Sequence, residues 1–441
     1  MVKKVCVVTS SRADFSKMEP IYLGLLREPD NYEPHLVVSG THLLTEGGST
    51  WKEIQEKYDI AAKVITVVSG DSYESMAESV ALGISKFTSI FTAIKPDYVV
   101  VHGDRFDALS VAIASSLLHI CTVHVEGGEL SGTIDGSLRH AITKLSHVHF
   151  VCNKRARSRL LQMGEDPEAV TITGCPSYDR YATLDSSEEA IRAACAKWNV
   201  EPKKFVLVTH HPDTVNPGKT AEEFARILDF MSEVPEKVLF FYPNIDPGNK
   251  SIISMLQKHR EGHAHLYRDK VSVLSHVPFE EFALLLQVTS CIAGNSSCIV
   301  REACFFGTPA ILVGSRQEGR DLGKNVRFFT VPNVRKLVDV YSEMKDVKFQ
   351  PQMMYGAGNA VRHMLHFLSR HEFRSSCKAF NDDARTINCY RSPRMQSMDG
   401  KAETPRVYPL QASAVVMKSL DPDSGRSGNE LVPEMSALDM H

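Results

Sequence analysis

The sequence lacks the features that mark several large classes of protein. No run approaches the ~18 consecutive apolar residues of a membrane-spanning helix. Residues 1–10 turn polar at Thr9, which leaves too short an apolar run for a signal peptide. There is no dense block of Lys or Arg, and the formal net charge is only -3. Because nucleic acids and anionic membranes attract a positive field, neither is expected as the main partner.

Metal and redox motifs are absent as well. The ten cysteines are scattered, with no CxxC pair and no spacing typical of metal ligands. They predict reduced, mostly buried thiols in a cytoplasmic protein. No GxGxxG follows the first strand-like run, so the usual motif for binding nicotinamide or flavin dinucleotides is missing. We therefore expect neither a metal nor an organic cofactor.

What the 441 residues do show is a regular alternation of short β-rich runs and longer segments of helical period. At ~100–200 residues per domain, this length predicts two or three domains. Several runs are apolar at consecutive positions, which is typical of strands buried on both faces of a parallel sheet. The strand candidates of the first half are VKKVCVVTS, EPHLVVSG, KVITVVSG, DYVVVHGD, ICTVHVEGG, HVHFVCN and VTITGCP. This alternation predicts a doubly wound α/β sheet.

A second series of the same kind follows a polar helical segment at 186–198. Its strand candidates are KKFVLVTHH, KVLFFYPN, VSVLSHVP, SCIAGNS and TPAILVGS, and a helix at 360–373 closes it. The sequence thus predicts two Rossmann-like domains, at 1–180 and 200–373. Residues 374–441 are rich in Ser, Pro, Asp and Arg and have no helical or strand period, which predicts a disordered tail.

The loops after the strands are the first candidates for a site, because ligands of open parallel sheets bind beyond the carboxyl ends of the strands. After the first strand, Arg12, Asp14 and Ser16 open a helix. Free N–H groups at a helix start, together with an arginine, suit an anion. The alternative is plain capping of this helix by Asp14 or Ser11.

Carboxylates follow two neighbouring strands of the first half. Asp104 and Glu126 each lie beside a glycine, which lets a substrate approach the backbone. Two carboxylates at adjacent strand ends can form an acid/base pair; the alternative is a capping Asp and a salt-bridged Glu. Asp135, Arg139 and His140 follow on the next loop and helix.

Three strand ends of the second half combine a polar residue with proline, at His211, Asn244 and His276. Proline ends each strand and turns the chain into a loop, where a histidine is either structural or catalytic. Three such loops at successive strand ends point to a site more strongly than any one of them.

The strongest element of the second half is GNSSCIVRE. Ser296 and Ser297 at a helix start offer hydroxyl and N–H groups to a phosphate, with a plain N-cap as the alternative. Glu302 would lie on the second turn, within reach of ribose hydroxyls of the same ligand. Arg316, after TPAILVGS, could neutralise phosphate charge.

Long motifs in this chain closely resemble the UDP-N-acetylglucosamine 2-epimerases. The resemblance runs from about residue 4 to residue 373, and its motifs are HGDRFDAL, EGGELSGTIDGSLRHAITKLSH, GCPSYD, PNIDPGNK, HVPF and GNSSCIVREACFFGTPAILVGSRQEGR. Within the family, the hydrolysing branch is the more similar, above all the epimerase part of the animal bifunctional UDP-N-acetylglucosamine 2-epimerase/N-acetylmannosamine kinase. The resemblance implies two Rossmann-like domains of glycosyltransferase type B architecture with a cleft between them.

The resemblance also implies an activity and a set of site residues. The reaction would convert UDP-N-acetylglucosamine and water into UDP and N-acetylmannosamine, the first step of sialic acid biosynthesis. The carboxylates implied in the chemistry are Asp104, Glu126 and Asp135, with the order of base and acid left open. Arg139 and His140 are candidates for support on the sugar side. The positions implied to bind UDP are Arg12, Ser16, Arg105, His211, Asn244, Val277, Ser296, Ser297, Glu302 and Arg316.

The chain departs from its bifunctional relatives in three ways. It has no segment that could form a kinase half, so we expect no N-acetylmannosamine kinase activity. Lys250, Ser275 and His276 match part of the relatives' site for feedback inhibition by CMP-sialic acid, but Ser254 and Gln257 stand where relatives carry arginines. Weakened feedback is expected. In addition, a glycine replaces the acidic residue common next to Asp135.

Three other functions remain open. A non-hydrolysing epimerase would retain UDP on its product, and a retaining glycosyltransferase would share the architecture and the UDP site. A non-catalytic nucleotide-sugar sensor would bind without turnover, although the intact carboxylate set argues against it. The resemblance further implies a homo-oligomer, a dimer or a tetramer.

Overall fold

The first domain of the computed structural model is built on a seven-stranded, wholly parallel sheet. Its central strands are buried on both faces because runs such as KKVCVVT are apolar at consecutive positions. The spatial order is β3-β2-β1-β4-β5-β6-β7. The strands are β1 (Lys3–Thr9), β2 (Tyr32–Ser39), β3 (Ile60–Val64), β4 (Tyr98–His102), β5 (Cys121–Val125), β6 (Val148–Val151) and β7 (Val170–Ile172).

Helices cover both faces of this sheet. The first of them begins with a capping box, in which Ser11 accepts from the backbone N–H of Asp14 and Asp14 accepts from that of Ser11. The helices are α1 (Arg12–Leu26), α2 (Trp51–Lys57), α3 (Tyr73–Ile94), α4 (Phe106–Leu117), α5 (Asp135–Leu145), α6 (Lys154–Gln162) and α7 (Ser177–Ala182), with a 3-10 turn at Gly40–Leu43. The next helix along the chain, α8 (Glu188–Lys197), packs against the core of the second domain.

The second domain repeats the plan with six parallel strands in the order β10-β9-β8-β11-β12-β13. Numbered within its own half, this is the 3-2-1-4-5-6 order of a Rossmann fold. The strands are β8 (Phe205–Thr209), β9 (Lys237–Phe241), β10 (Val271–Leu274), β11 (Cys291–Gly294), β12 (Ala310–Val313) and β13 (Val326–Phe329). The helices are α9 (Pro217–Glu233), α10 (Asn249–Gly262), α11 (Ala264–Asp269), α12 (Phe279–Val288), α13 (Ser297–Val300), α14 (Glu302–Phe306) and α15 (Val334–Met344).

The last helix, α16 (Ala360–Arg370), packs against the first domain. Its apolar face, which includes Met364 and Leu365, joins the core cluster that contains Val5 and Met18. Gly24 of α1 makes this approach close, because a Cβ at this position would overlap the side chain of Val361. The chain thus crosses back after the second domain, which ties the two domains together.

The structure describes residues 2–45, 48–68, 70, 72–213, 217–243, 248–275, 277–330, 333–371 and 378. Both sheets belong to one compact unit, Met1–Ala384. The predicted architecture of two parallel-sheet α/β domains is confirmed. The predicted tail lies outside the described residues, apart from Lys378. The ammonium group of Lys378 donates to the carbonyl oxygens of Thr143 and Lys144 at the end of α5.

Two further expectations concern the described residues. The eight cysteines among them are free, and all except Cys298 are buried, as their apolar surroundings predicted. None of the described helices combines the length and the apolar character needed to cross a membrane.

Candidate functional site

A cleft of about 1460 Å³, part of it open to solvent, lies where the strand ends of both sheets face each other. In each sheet the strand order reverses beside the first strand, and the loops there diverge to leave a crevice. The first domain contributes the loops after β1, β4 and β5, and the second contributes those after β8, β11 and β12. The site therefore occupies the position that the fold itself leaves open.

Ten of the residues proposed from the sequence line this cleft. They are Arg12, Asp104, Arg105, Glu126, Asp135, Arg139, His211, Ser296, Ser297 and Arg316. The first domain supplies the carboxylates, whereas the second supplies the serines and Arg316, so the two sets face each other across the cleft.

Glu126 lies at the centre of a buried network of charges. It follows β5 with a φ of 66°, a left-handed conformation that is strained for a residue with a side chain. One carboxylate oxygen accepts from Arg301 Nη2 at 2.5 Å, and the other is 2.9 Å from His102 Nε2. Burial alone would raise the pKa of Glu126, but Arg301 and His102 outweigh burial and hold this pKa well below its usual range. Glu126 is therefore ionised and fixed in position.

Asp104 is held in a similar way by a cation of its own domain. Arg139, on α5, forms an ion pair with the Asp104 carboxylate and also donates to the backbone carbonyl of Glu126 at 2.9 Å. Burial would raise the pKa of Asp104, but Arg139 and Arg320 lower it. Arg139 is itself buried, and although burial opposes its charge, the neighbouring carboxylates raise its pKa. One guanidinium thus links the loops that carry Asp104 and Glu126, and Asp135 opens the same helix, α5.

The second domain presents hydroxyl groups and cations to the same space. Ser296 precedes α13, and its side chain makes no capping bond to that helix. His211 is anchored through its backbone, because Asn295 accepts from its N–H at 2.7 Å and donates to its carbonyl at 2.8 Å. Hydroxyl groups, an arginine and a histidine together form a surface suited to a diphosphate.

The helix that was expected to carry Glu302 on its second turn is broken. α13 ends at Val300, and Glu302 instead opens α14. The Glu302 carboxylate is buried 3.8 Å from the ammonium of Lys17, which lines the cleft. Burial opposes the charge of Lys17, but Glu302, Cys175 and Glu126 together outweigh burial and raise the pKa of Lys17.

Of the remaining candidates, those that the structure describes lie outside the lining of the cleft. The hydroxyl of Ser16 donates to the carbonyl of Ala13 in its own helix, and Val277 packs, half-buried, against the core of the second domain. His140 is half-buried on α5, and burial and Arg139 lower its pKa. Lys250 and Ser275 are exposed, and Asn244 and His276 lie outside the described residues.

Several residues that line the cleft were not among the candidates, and the charged or titratable side chains among them are Lys17, His102, Arg301 and Arg320. His102 lies in the motif HGDR, so its place at a strand end could have drawn attention to it. Lys17 lies one helical turn after Ala13 on α1, on the face of the helix that lines the cleft, so its spacing from Ala13, next to Arg12, could have identified it. Arg301 lies within GNSSCIVRE, but its pairing with Glu126 and Glu129 gave no sign in the sequence, because these partners are more than 170 residues away along the chain.

Glu126, Glu129 and Cys152 bring three potential metal-ligand atoms within 4.8 Å of one another. The guanidinium of Arg301 lies among them, with its Nη1 2.9 Å from Glu129 and its Nη2 3.5 Å from the Cys152 sulfur. A protein cation therefore already occupies the centre of this group.

Comparison with known proteins places the chain among its relatives. The model of the family described as UDP-N-acetylglucosamine 2-epimerase matches residues 25–369. The chain belongs to this family. This epimerase-family chain is 34% identical to the UDP-N-acetylglucosamine 2-epimerase of Neisseria meningitidis serogroup B, over 74% of this chain and 83% of the relative.

A second relative of this epimerase-family chain is named as a hydrolysing enzyme. The GDP/UDP-N,N'-diacetylbacillosamine 2-epimerase (hydrolyzing) of Campylobacter jejuni is 31% identical over 74% of this chain and 83% of the relative. Among solved structures, the Methanocaldococcus jannaschii UDP-GlcNAc 2-epimerase in complex with UDP-GlcNAc and UDP has a TM-score of 0.69 at 19% identity, covering 83% of this chain and all of that one. A solved structure of a UDP-GlcNAc 2-epimerase from Neisseria meningitidis bound to UDP-GlcNAc has a TM-score of 0.67 at 17% identity, with the same coverage. At these identities the structures support the fold.

Proposed function

We propose that this protein is a hydrolysing UDP-N-acetylglucosamine 2-epimerase. It converts UDP-N-acetylglucosamine and water into N-acetylmannosamine and UDP. The observation that carries the proposal is the cleft itself, in which Asp104, Glu126 and Asp135 face Ser296 and Arg316. Membership of the epimerase family and similarity to a relative named as hydrolysing support it.

The proposed chemistry has two stages. First, the C1–O bond to UDP breaks while a carboxylate removes the C2 proton, which yields UDP and 2-acetamidoglucal. Water then adds across the new double bond: its oxygen bonds to C1, and C2 receives a proton on the face that inverts its configuration. A C2–H beside an acetamide is weakly acidic, so the elimination depends on a developing oxocarbenium ion and a stabilised leaving group.

Each side of the cleft has a part in this scheme. Arg316, Ser296 and Ser297 stabilise the charge that grows on the departing diphosphate, and Arg12, Arg105 and His211, the other UDP candidates that line the cleft, hold the nucleotide. Asp104, Glu126 and Asp135 carry the protons: they line the first-domain side, and the fourth carboxylate there, Asp14, is engaged in capping α1. Arg139 supports two of the carboxylate-bearing loops from behind.

The branch of the family is the finer part of the proposal. The stretch EGGELSGTIDGSLRH, which includes Glu126 and Asp135, is what favours the hydrolysing branch. We further propose that the product feeds sialic acid biosynthesis in the cytoplasm and that the chain forms a dimer or a tetramer. Weakened feedback by CMP-sialic acid, through a remnant of the site at Lys250, Ser275 and His276, belongs to the same proposal.

Proton NMR of UDP-N-acetylglucosamine incubated with the protein in D₂O tests the function directly. We expect free UDP together with N-acetylmannosamine that carries deuterium at C2, because solvent supplies the proton of the second stage. UDP-N-acetylmannosamine as the product would instead identify a non-hydrolysing epimerase. An unchanged substrate spectrum under saturating binding would favour a sensor, and turnover that required an acceptor would favour a glycosyltransferase.

A further inference from the structure

Two loops from opposite domains touch at one end of the cleft. The 130–133 loop of the first domain leads from Glu129 to Asp135, and the 315–320 loop of the second domain follows β12 and carries Arg316. The backbone N–H of Gly132 donates to the backbone carbonyl of Arg316 at 3.2 Å. A backbone hydrogen bond thus joins the loop before one proposed catalytic carboxylate to the residue proposed to hold the diphosphate.

The contact depends on the absence of a side chain at Gly132. A Cβ there would overlap the carbonyl oxygen of Ser315 and would also contact Glu318 Cβ at 3.5 Å. The backbone of Gly132 is outside the left-handed region, so alanine could adopt its conformation without strain. Glycine is therefore required at this position by the proximity of the other domain.

Neighbouring contacts reinforce the same junction. Arg320 donates from Nε to the carbonyl of Leu130 at 3.1 Å, and Gly319 lies against the Leu130 side chain. On the second-domain side, Gln317 donates to the carbonyl of Asn295 at 3.1 Å, which links the 315–320 loop to the loop that carries Ser296. The junction therefore reaches both the carboxylate side and the phosphate side of the cleft.

We propose that Gly132 is a positioning residue, whose close contact with Ser315 and Arg316 sets the distance between Asp135 and the diphosphate-binding groups. This inference rests on the proposed function and adds to it a residue outside the reacting set. The elimination needs the carboxylates and the leaving group in one fixed frame, and they belong to different domains. Geometry of this kind is sensitive, since a displacement of about 1 Å can cost about 100-fold in rate.

The test is the Gly132→Ala variant of the full chain, which must part the two loops by about 1 Å. We expect kcat to fall about 100-fold, while the Kd for UDP, measured by calorimetry, changes less than about threefold. A merely structural role would lower thermal stability and the active fraction without this split between turnover and UDP binding. The matched control is Gly262→Ala, because a Cβ at Gly262 meets no atom of the described residues within 4 Å.

Two outcomes would overturn the inference. One is a kcat within about threefold of wild type; the other is a UDP Kd that weakens in parallel with kcat, since the contact would then build the nucleotide site. A wild-type protein without turnover would overturn the proposed function instead. In that case a crystal structure of Gly132→Ala still decides the matter, because an unchanged 3.2 Å distance from residue 132 N to Arg316 O would refute the positioning role.

Discussion

Replacing Glu126 by glutamine is expected to lower kcat about 1000-fold, because a positioned acid or base contributes rate factors of this order. Glutamine keeps the size of the side chain and an oxygen for Arg301, so the fold should survive. What it removes is the ionised carboxylate, which Arg301 and His102 stabilise at neutral pH by lowering the pKa of Glu126. The measurement is steady-state release of UDP, with circular dichroism and thermal melting to check the fold.

Glu129→Gln is the matched control for this experiment. Glu129 binds the same guanidinium, with both carboxylate oxygens within 3.0 Å of Arg301 Nη1, but it is not among the described residues that line the cleft. We expect its kcat to fall less than about tenfold. Equal losses in the two variants would mean that Glu126 acts by holding Arg301 and not by contact with the sugar.

The strands of both sheets could be predicted because their buried runs are apolar at consecutive positions. The exceptions lie at the edges of the sheets. β13, Val326–Phe329, is short, and Arg327 and Phe328 are exposed on it. The third strand was predicted at 63–70, but β3 is Ile60–Val64, in which exposed and partly buried residues alternate. An edge strand covered on one face only does not produce a continuous apolar run. The closing helix was predicted at 360–373 and is described as Ala360–Arg370, a difference usual for helix ends.

Local chemistry at strand ends explains why much of the cleft could be anticipated. Asp104, Glu126 and Ser296 each follow a recognisable strand, and the topology of parallel sheets brings such positions together. Both interpretations of Asp14 and Glu126 involve real contacts: Asp14 caps α1, and Glu126 is salt-bridged while it also lines the cleft. A capping or ion-pair role therefore does not exclude a place in the site.

Arg139 was a candidate, but the cation behind Glu126, Arg301, could not be anticipated in that role, because it acts across a long stretch of chain. Arg301 lies just after a predicted phosphate-binding turn, where its side chain would ordinarily be assigned to that ligand. Instead the backbone breaks at Arg301 between α13 and α14, and its guanidinium reaches the first domain. Tyr178 supports this arrangement by donating from its hydroxyl to the Arg301 carbonyl at 2.7 Å. No periodicity in the sequence encodes such a contact.

Replacing Arg301 by methionine is expected to destabilise the protein by about 3–5 kcal/mol, because removal of one partner leaves buried charge without compensation. The Arg301 side chain is 3% exposed, and it pairs with Glu126 and Glu129 at once. Arg155→Met is the matched control: it also removes an arginine that pairs across the domains, with Asp321, but Arg155 is 68% exposed. A surface pair contributes only about 0–1 kcal/mol, so the control should unfold close to wild type in urea.

The loss of unfolding free energy in Arg301→Met should also depend on pH, and the pKa of Glu126 sets the direction of that dependence. In the wild type the lowered pKa of Glu126 adds stability that is present at neutral pH and is lost as the pH falls through the folded-state value. Without Arg301, burial dominates and raises the pKa of Glu126. Acid then protonates the unpaired, buried carboxylate, which removes its charge and recovers part of the variant's unfolding free energy. We therefore expect the difference in unfolding free energy between variant and wild type to shrink between about pH 7 and about pH 5. A difference that stayed constant or grew over this range would show that the loss comes from packing around Arg301 and not from the charge it neutralises.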